Sequence, residues 1–141
     1  MEVASCTDGW CLSTAGQAAA LFRAAIPKEQ REERVFVLPL DGGGRVLAKP
    51  ILVSVGHGKG TAEIDVGAVF REALKAGAEE IIVAHNHPSG NLTPSKDDIA
   101  ATLELKEMSN KLGVAFLDHI IIGSPDSADG TGFVSLAEVC L

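Results

Sequence analysis

Apolar residues in this chain follow two rhythms. In Val35-Phe36-Val37-Leu38-Pro39-Leu40, Glu80-Ile81-Ile82-Val83-Ala84 and Val114 to Ile122 they run almost without interruption, as in strands buried on both faces. Between these blocks the spacing changes to three and four, through Ala18, Leu21, Phe22 and Ala25, through Val69, Phe70, Ala73 and Leu74, and through Ile99, Leu103, Leu105 and Met108. That is the spacing of amphipathic helices. Punctuation agrees with it. Ser13 and Thr14 are N-cap residues for a first helix that Pro27 stops, Asp65 caps a second that closes at Gly77, and a third runs from about Ser95 to Leu112 with Gly113 after it. Asp41-Gly42-Gly43-Gly44 reads as a hairpin turn, Val46 to Val55 as its return strand with Pro50 marking an edge or bulge, and Phe133-Val134-Ser135 as a last short strand. The order α-β-β-α-β-α-β-(β) predicts an α/β fold, a mixed sheet flanked by helices. The first dozen residues show no period, so the expected organisation is an arm over 1–12 and one domain over 13–141.

The 141 residues suit one domain rather than two. A net charge of −7, with no cluster of Lys or Arg longer than a pair, argues against a generic phosphate-binding surface. No apolar run is long enough to span a membrane, and the N-terminus lacks a signal peptide's basic flank and apolar core, so a cytoplasmic protein is expected. Cys6, Cys11 and Cys140 are odd in number and lack metal-site spacing; free thiols are the favoured reading, with a Cys6–Cys11 bond left open.

The densest chemistry is His85-Asn86-His87-Pro88, followed after a Gly/Pro-rich loop by Ser95-Lys96-Asp97-Asp98. Alternate residues of a strand share a face, so His85 and His87 at a strand end converge on one ion. Asp98 falls in the first turn of the next helix and points at the same ion. Zinc held by two histidines and an aspartate keeps a fourth position for water, as a hydrolytic site requires. Ser95-Lys96-Asp97-Asp98 also fits a helix capping box, in which Asp98 satisfies a backbone N–H; that reading leaves both histidines unexplained and is compatible with metal binding. Gly56-His57-Gly58-Lys59-Gly60 lacks the spacing of a phosphate-binding loop. Metallo-β-lactamase, amidohydrolase barrel and zinc deaminase patterns all fail, the last for want of its cysteines. The letters His-Asn-His are not the nuclease motif they spell, which spreads over a longer ββ-metal unit.

The string H-x-H, seven residues, then S-x-x-D matches the JAMM motif of the MPN (JAB-like) metallohydrolases. Within them, Ala84-His85-Asn86-His87-Pro88-Ser89-Gly90, Pro94-Ser95, Asp98-Ile99, Leu117-Asp118-His119-Ile120-Ile121-Ile122-Gly123 and Phe133-Val134-Ser135-Leu136 resemble the RadC family, over roughly Glu33 to the C-terminus. The resemblance implies an MPN fold related in architecture to the cytidine deaminases. It also implies a catalytic glutamate just ahead of the first long strand. Glu33 is the choice by position and Glu32 its close rival.

What the resemblance then implies is a zinc-dependent hydrolase cutting an amide, often an isopeptide. His85, His87 and Asp98 hold the Zn²⁺, Glu33 transfers the proton and Ser95 stabilises the oxyanion. Asp118 and His119, on the strand expected beside the metal strand, are candidates to orient a ligand imidazole, against plain satisfaction of a core polar pair. A peptide or protein is the expected substrate. The competing reading is an accessory or binding module tied to DNA repair or mobile elements, with nuclease activity a third. Only family analogy supports a nucleic-acid role here, because one short helix stands where RadC-like proteins carry a helical region. The substrate and oligomeric state are left open.

Overall fold

A computed structural model describes residues 4–6, 9–27, 32–56, 64–123 and 132–139. A five-stranded mixed sheet forms its centre. In chain order the elements are β1 (Ala4–Cys6), β2 (Gly9–Cys11), α1 (Ala15–Ala25), β3 (Arg34–Leu40), β4 (Ile51–Val55), α2 (Val66–Lys75), β5 (Glu80–Asn86), α3 (Lys96–Leu112), β6 (Ala115–Ile122), β7 (Phe133–Ser135) and α4 (Leu136–Val139). The sheet order is β4-β3-β5-β6-β7. Among the described strands only the β5–β6 pair is parallel, and α3 is its crossover.

Near-continuous apolar strands reflect burial of both faces. Alternate residues of β3 and β5 divide between two cores: Val35, Val37, Ile81 and Val83 pack with Val69, Phe70 and Leu105 of α2 and α3. Phe36, Leu38, Ile82 and Ala84 pack on the other side with Ala18, Ala19 and Phe22 of α1. This parity decides the site. Continuing Ile81 and Val83 by two and four residues puts His85 and His87 on the side of α3.

Each helix starts as its caps dictate. Thr14 and Gln17 form a capping box on α1, the Asp65 side chain accepts from Ala68 N–H on α2, and Ser95 and Asp98 form a second capping box on α3. Gly113 ends α3 at φ 71°, a left-handed conformation that glycine adopts without a Cβ clash.

Several expectations need correction. The return strand is not continuous over 46–55: Val46 makes an isolated bridge to Leu40, and regular pairing resumes only at Ile51, after Pro50. Proline has no N–H for a ladder, and the β3–β4 pairing also shifts register between Val35 and Phe36. β5 runs on through His85 and Asn86 rather than ending before them. The arm contains a hairpin, β1 against β2, that meets the β3–β4 turn through a Cys11–Arg45 bridge and a Leu12 N–H bond to the Gly44 carbonyl. Cys11 is disulfide-bonded, which overturns the free-thiol reading for that residue. The His57 loop and most of the turn after Gly123 lie outside the described residues. No helix among the described residues is long and apolar enough to cross a membrane.

Candidate metal centre

Four side chains from three elements meet at one end of the sheet. His85 stands opposite Val35 of β3 and Ile121 of β6. His87 follows the strand and is held by its N–H bond to the Ile122 carbonyl, 2.8 Å. Its Nε2 lies 3.0 Å from that of His85. Asp98 reaches both rings from the first turn of α3, with Oδ1 3.2 Å from His85 Nε2 and Oδ2 3.3 Å from His87 Nε2. Glu33, immediately before β3, brings Oε1 to 3.8 Å from His87 Nε2. Glu33, His85 and His87 each offer a ligand atom within 4.8 Å of the other two. Asp98 is nearer still to both rings.

The hydrogen bonds fix the tautomers. Thr102 donates its single hydroxyl proton to the Asp98 carbonyl at 2.8 Å, so at 2.7 Å it accepts from His119 Nδ1–H. His119 Nε2 is then the acceptor for His85 Nδ1–H at 2.8 Å. His87 Nδ1–H donates to the Asn91 carbonyl at 2.6 Å. With both Nδ1 atoms so engaged, neutral His85 and His87 turn Nε2 lone pairs toward each other and toward a carboxylate. Such a cluster calls for a cation. Ligand atoms around a tetrahedral zinc at about 2.0–2.1 Å lie roughly 3.3 Å apart, close to the spacings here, so the residues fit the metal.

The electrostatics agree. Burial raises the Asp98 pKa, but the His85 and His87 rings, which hydrogen-bond to it when protonated, outweigh it together with the Ser95 N–H and hold the carboxyl well below its usual range. Burial disfavours charge on His87, yet Asp98, the Asn91 carbonyl and Glu33 together raise its pKa. Burial, then the nearby His85, push His119 down to about 3.

The remaining predicted residues have definite places. Ser95 Oγ accepts from Asp98 N–H at 3.0 Å, while Asp98 Oδ2 accepts from Ser95 N–H at 2.8 Å. The capping-box reading and the ligand reading therefore share one carboxylate. Glu32 instead pairs with Arg34 at 3.8 Å, at a partly exposed position. Asp118 is turned away: it accepts from His119 N–H, from Ser135 Oγ–H at 2.5 Å and from Ala137 N–H at 3.0 Å, tying β6 to β7 and α4. Sequence reasoning missed Thr102 and Asn86. Gly123 went unexplained too: a Cβ there would meet Leu92 Cδ2 at 2.5 Å and the Gly90 carbonyl at 3.1 Å, in the loop that carries the Asn91 carbonyl to His87.

A RadC-like JAB domain family profile matches residues 12–140. The chain belongs to that family. Similar curated proteins match it over part of their length. A UPF0758 protein of Carboxydothermus hydrogenoformans is 46% identical over 94 residues, covering 67% of this chain and 41% of that protein. A UPF0758 protein of Clostridium perfringens is 39% identical over 77% of this chain and 44% of its own length. One of Actinobacillus pleuropneumoniae is 41% identical over 74% of this chain and 46% of its own. The RadC-like chain is thus matched to less than half the length of these relatives.

One pH effect follows from His119. Folded, it resists protonation down to about 3; unfolded, it titrates near the ordinary value of about 6.5. Between those limits the unfolded chain binds the extra proton, so metal-free protein should lose stability as pH falls, by up to about 1.4 kcal/mol per pH unit. The lowered Asp98 pKa acts in the same sense from about pH 4 downward; the raised His87 pKa acts oppositely, its contribution being lost as pH rises through the folded value. Urea unfolding of chelator-treated protein at pH 7, 5.5 and 4 checks this. A His119→Leu variant should show a slope shallower by about one proton.

Proposed function

We propose that this RadC-like domain is a zinc-dependent hydrolase that cleaves an amide bond, of the peptide or isopeptide type. The supporting observation is the pair of Nε2 lone pairs, 3.0 Å apart, facing the Asp98 carboxylate with Glu33 to one side.

His85, His87 and Asp98 would hold the ion. Bound there, zinc supplies Lewis acidity and lowers the pKa of a coordinated water toward neutrality. The Glu33 carboxylate accepts a proton beside His87 and delivers it to the departing amine, so that base and acid are one group. Ser95 uses a lone pair of its hydroxyl to cap α3, which leaves its O–H free to donate to the substrate carbonyl oxygen as charge develops there. His119 and Thr102 keep His85 in the tautomer that presents Nε2. Asp118 serves the fold rather than the site.

The test is a panel of quenched peptides and Lys ε-amine conjugates incubated with zinc-loaded and chelator-treated protein. Cleavage that releases a new amine and disappears with the chelator is expected. Zinc-loaded protein that leaves every amide intact, yet retains DNA in moderate salt, would overturn this reading in favour of an accessory module.

A further inference from the structure

The central residue of the His85-Asn86-His87 string does not face the ion. Strand alternation puts Asn86 on the other side of β5, with Ile82 and Ala84. It is nonetheless buried, and both ends of its amide are engaged across the sheet. Oδ1 accepts from Arg34 N–H at 2.7 Å, and Nδ2 donates to the Glu32 carbonyl at 3.0 Å. These two bonds straddle one residue, Glu33. The last rung of the β3–β5 ladder pairs Val35 with His85; beyond it the side-chain amide of Asn86 takes over, as a peptide group would in a longer strand. From the opposite side, Gly56 N–H of the segment after β4 binds the Glu33 carbonyl at 2.8 Å.

We propose that Asn86 is a positioning residue for Glu33, its side-chain amide fixing the backbone on both flanks of that glutamate and so holding the carboxylate beside the metal ligands. This rests on the reading of Glu33 as the proton-transfer group. A plain tie at a sheet end would not have to bracket one residue, nor that residue be the glutamate within reach of His87. The same segment thus sets both halves of the centre: His85 and His87 offer the ligand nitrogens, and Asn86 between them places the base. Ligand geometry does not depend on the clamp, because His85 is braced by His119, His87 by the Asn91 carbonyl, and Asp98 by Ser95. Loss of Asn86 should therefore separate the base from the metal while sparing the metal.

The test compares wild type, Asn86→Leu, Glu33→Gln and the double variant, as full chains. Leucine matches the volume and removes both hydrogen bonds; Asn86→Asp, which keeps the acceptor for Arg34, gives a milder variant should leucine fail to fold. Zn²⁺ affinity of Asn86→Leu, by chelator competition, should stay within about threefold of wild type. Hydrogen exchange at the Arg34 amide should speed up more than tenfold while that of Val37, inside the ladder, is unchanged. With Co²⁺ as probe, the pH midpoint of the visible absorption band should shift in Asn86→Leu as it does in Glu33→Gln, and the double variant should add nothing. A wild-type midpoint in Asn86→Leu beside a shifted one in Glu33→Gln overturns the clamp alone. An unshifted midpoint in Glu33→Gln overturns the Glu33 reading first, and the clamp with it.

Discussion

Purified protein that has met no chelator should carry about one zinc per chain, and His85→Ala should abolish it. The expectation comes from the way the cluster is braced. His85 touches both other ligands, at 3.0 Å from His87 and 3.2 Å from Asp98. Its Nδ1 also begins the hydrogen-bonded path through His119 and Thr102 that returns to the Asp98 carbonyl. Removing the imidazole takes away a direct ligand and opens that path together. Loss of a partner behind a ligand costs roughly 10–100-fold in metal affinity. Thr102→Val, which deletes only the hydroxyl, should fall in that range, and His85→Ala should lie well beyond it. Binding to the folded state alone stabilises by about 4 kcal/mol at a free metal concentration of 1,000 times Kd. Added Zn²⁺ should accordingly raise the wild-type melting temperature and leave His85→Ala unmoved. Equal zinc contents in the two proteins by elemental analysis would remove the metal centre as described.

How far the chain disclosed this arrangement depended on the range of each interaction. The two histidines were legible because strand parity is local: once Ile81 and Val83 are read as core, His85 and His87 must share their face. Asp98 was legible for a similar reason, since a capping box fixes the first turn of a helix and with it the third residue. The two readings of that residue turned out to share one carboxylate: Oδ2 accepts from Ser95 N–H and also faces His87, while Oδ1 faces His85. Thr102, His119 and Asn86 are different. Each acts through a partner 17, 34 or more than 50 residues away, and those meetings depend on the register of β5 against β6 and β3. No local period encodes that register. Asp118 shows the same limit in reverse: its neighbour His119 faces the site, but alternation turns Asp118 toward Ser135 and Ala137.

Glu33→Gln should keep zinc and lose turnover. The side chain is nine-tenths buried and stops 3.8 Å from His87 Nε2, farther from the rings than Asp98 at 3.2 and 3.3 Å. That stand-off suits a group that handles protons more than one that binds the ion directly. Glutamine preserves its size and its hydrogen-bonding oxygen but takes up no proton near neutral pH. A positioned general acid–base contributes about 10²–10⁴-fold to rate, so turnover of whichever amide substrate the panel yields should fall by that factor. Zinc content should be unchanged. Glu32→Gln is the matched control: its carboxylate pairs with Arg34 near the surface, and its loss should leave turnover within a few-fold of wild type. If Glu32→Gln is the inactive variant, the register ahead of β3 has been misassigned. If Glu33→Gln instead loses its zinc, the carboxylate binds the ion, and the proton must pass through another group.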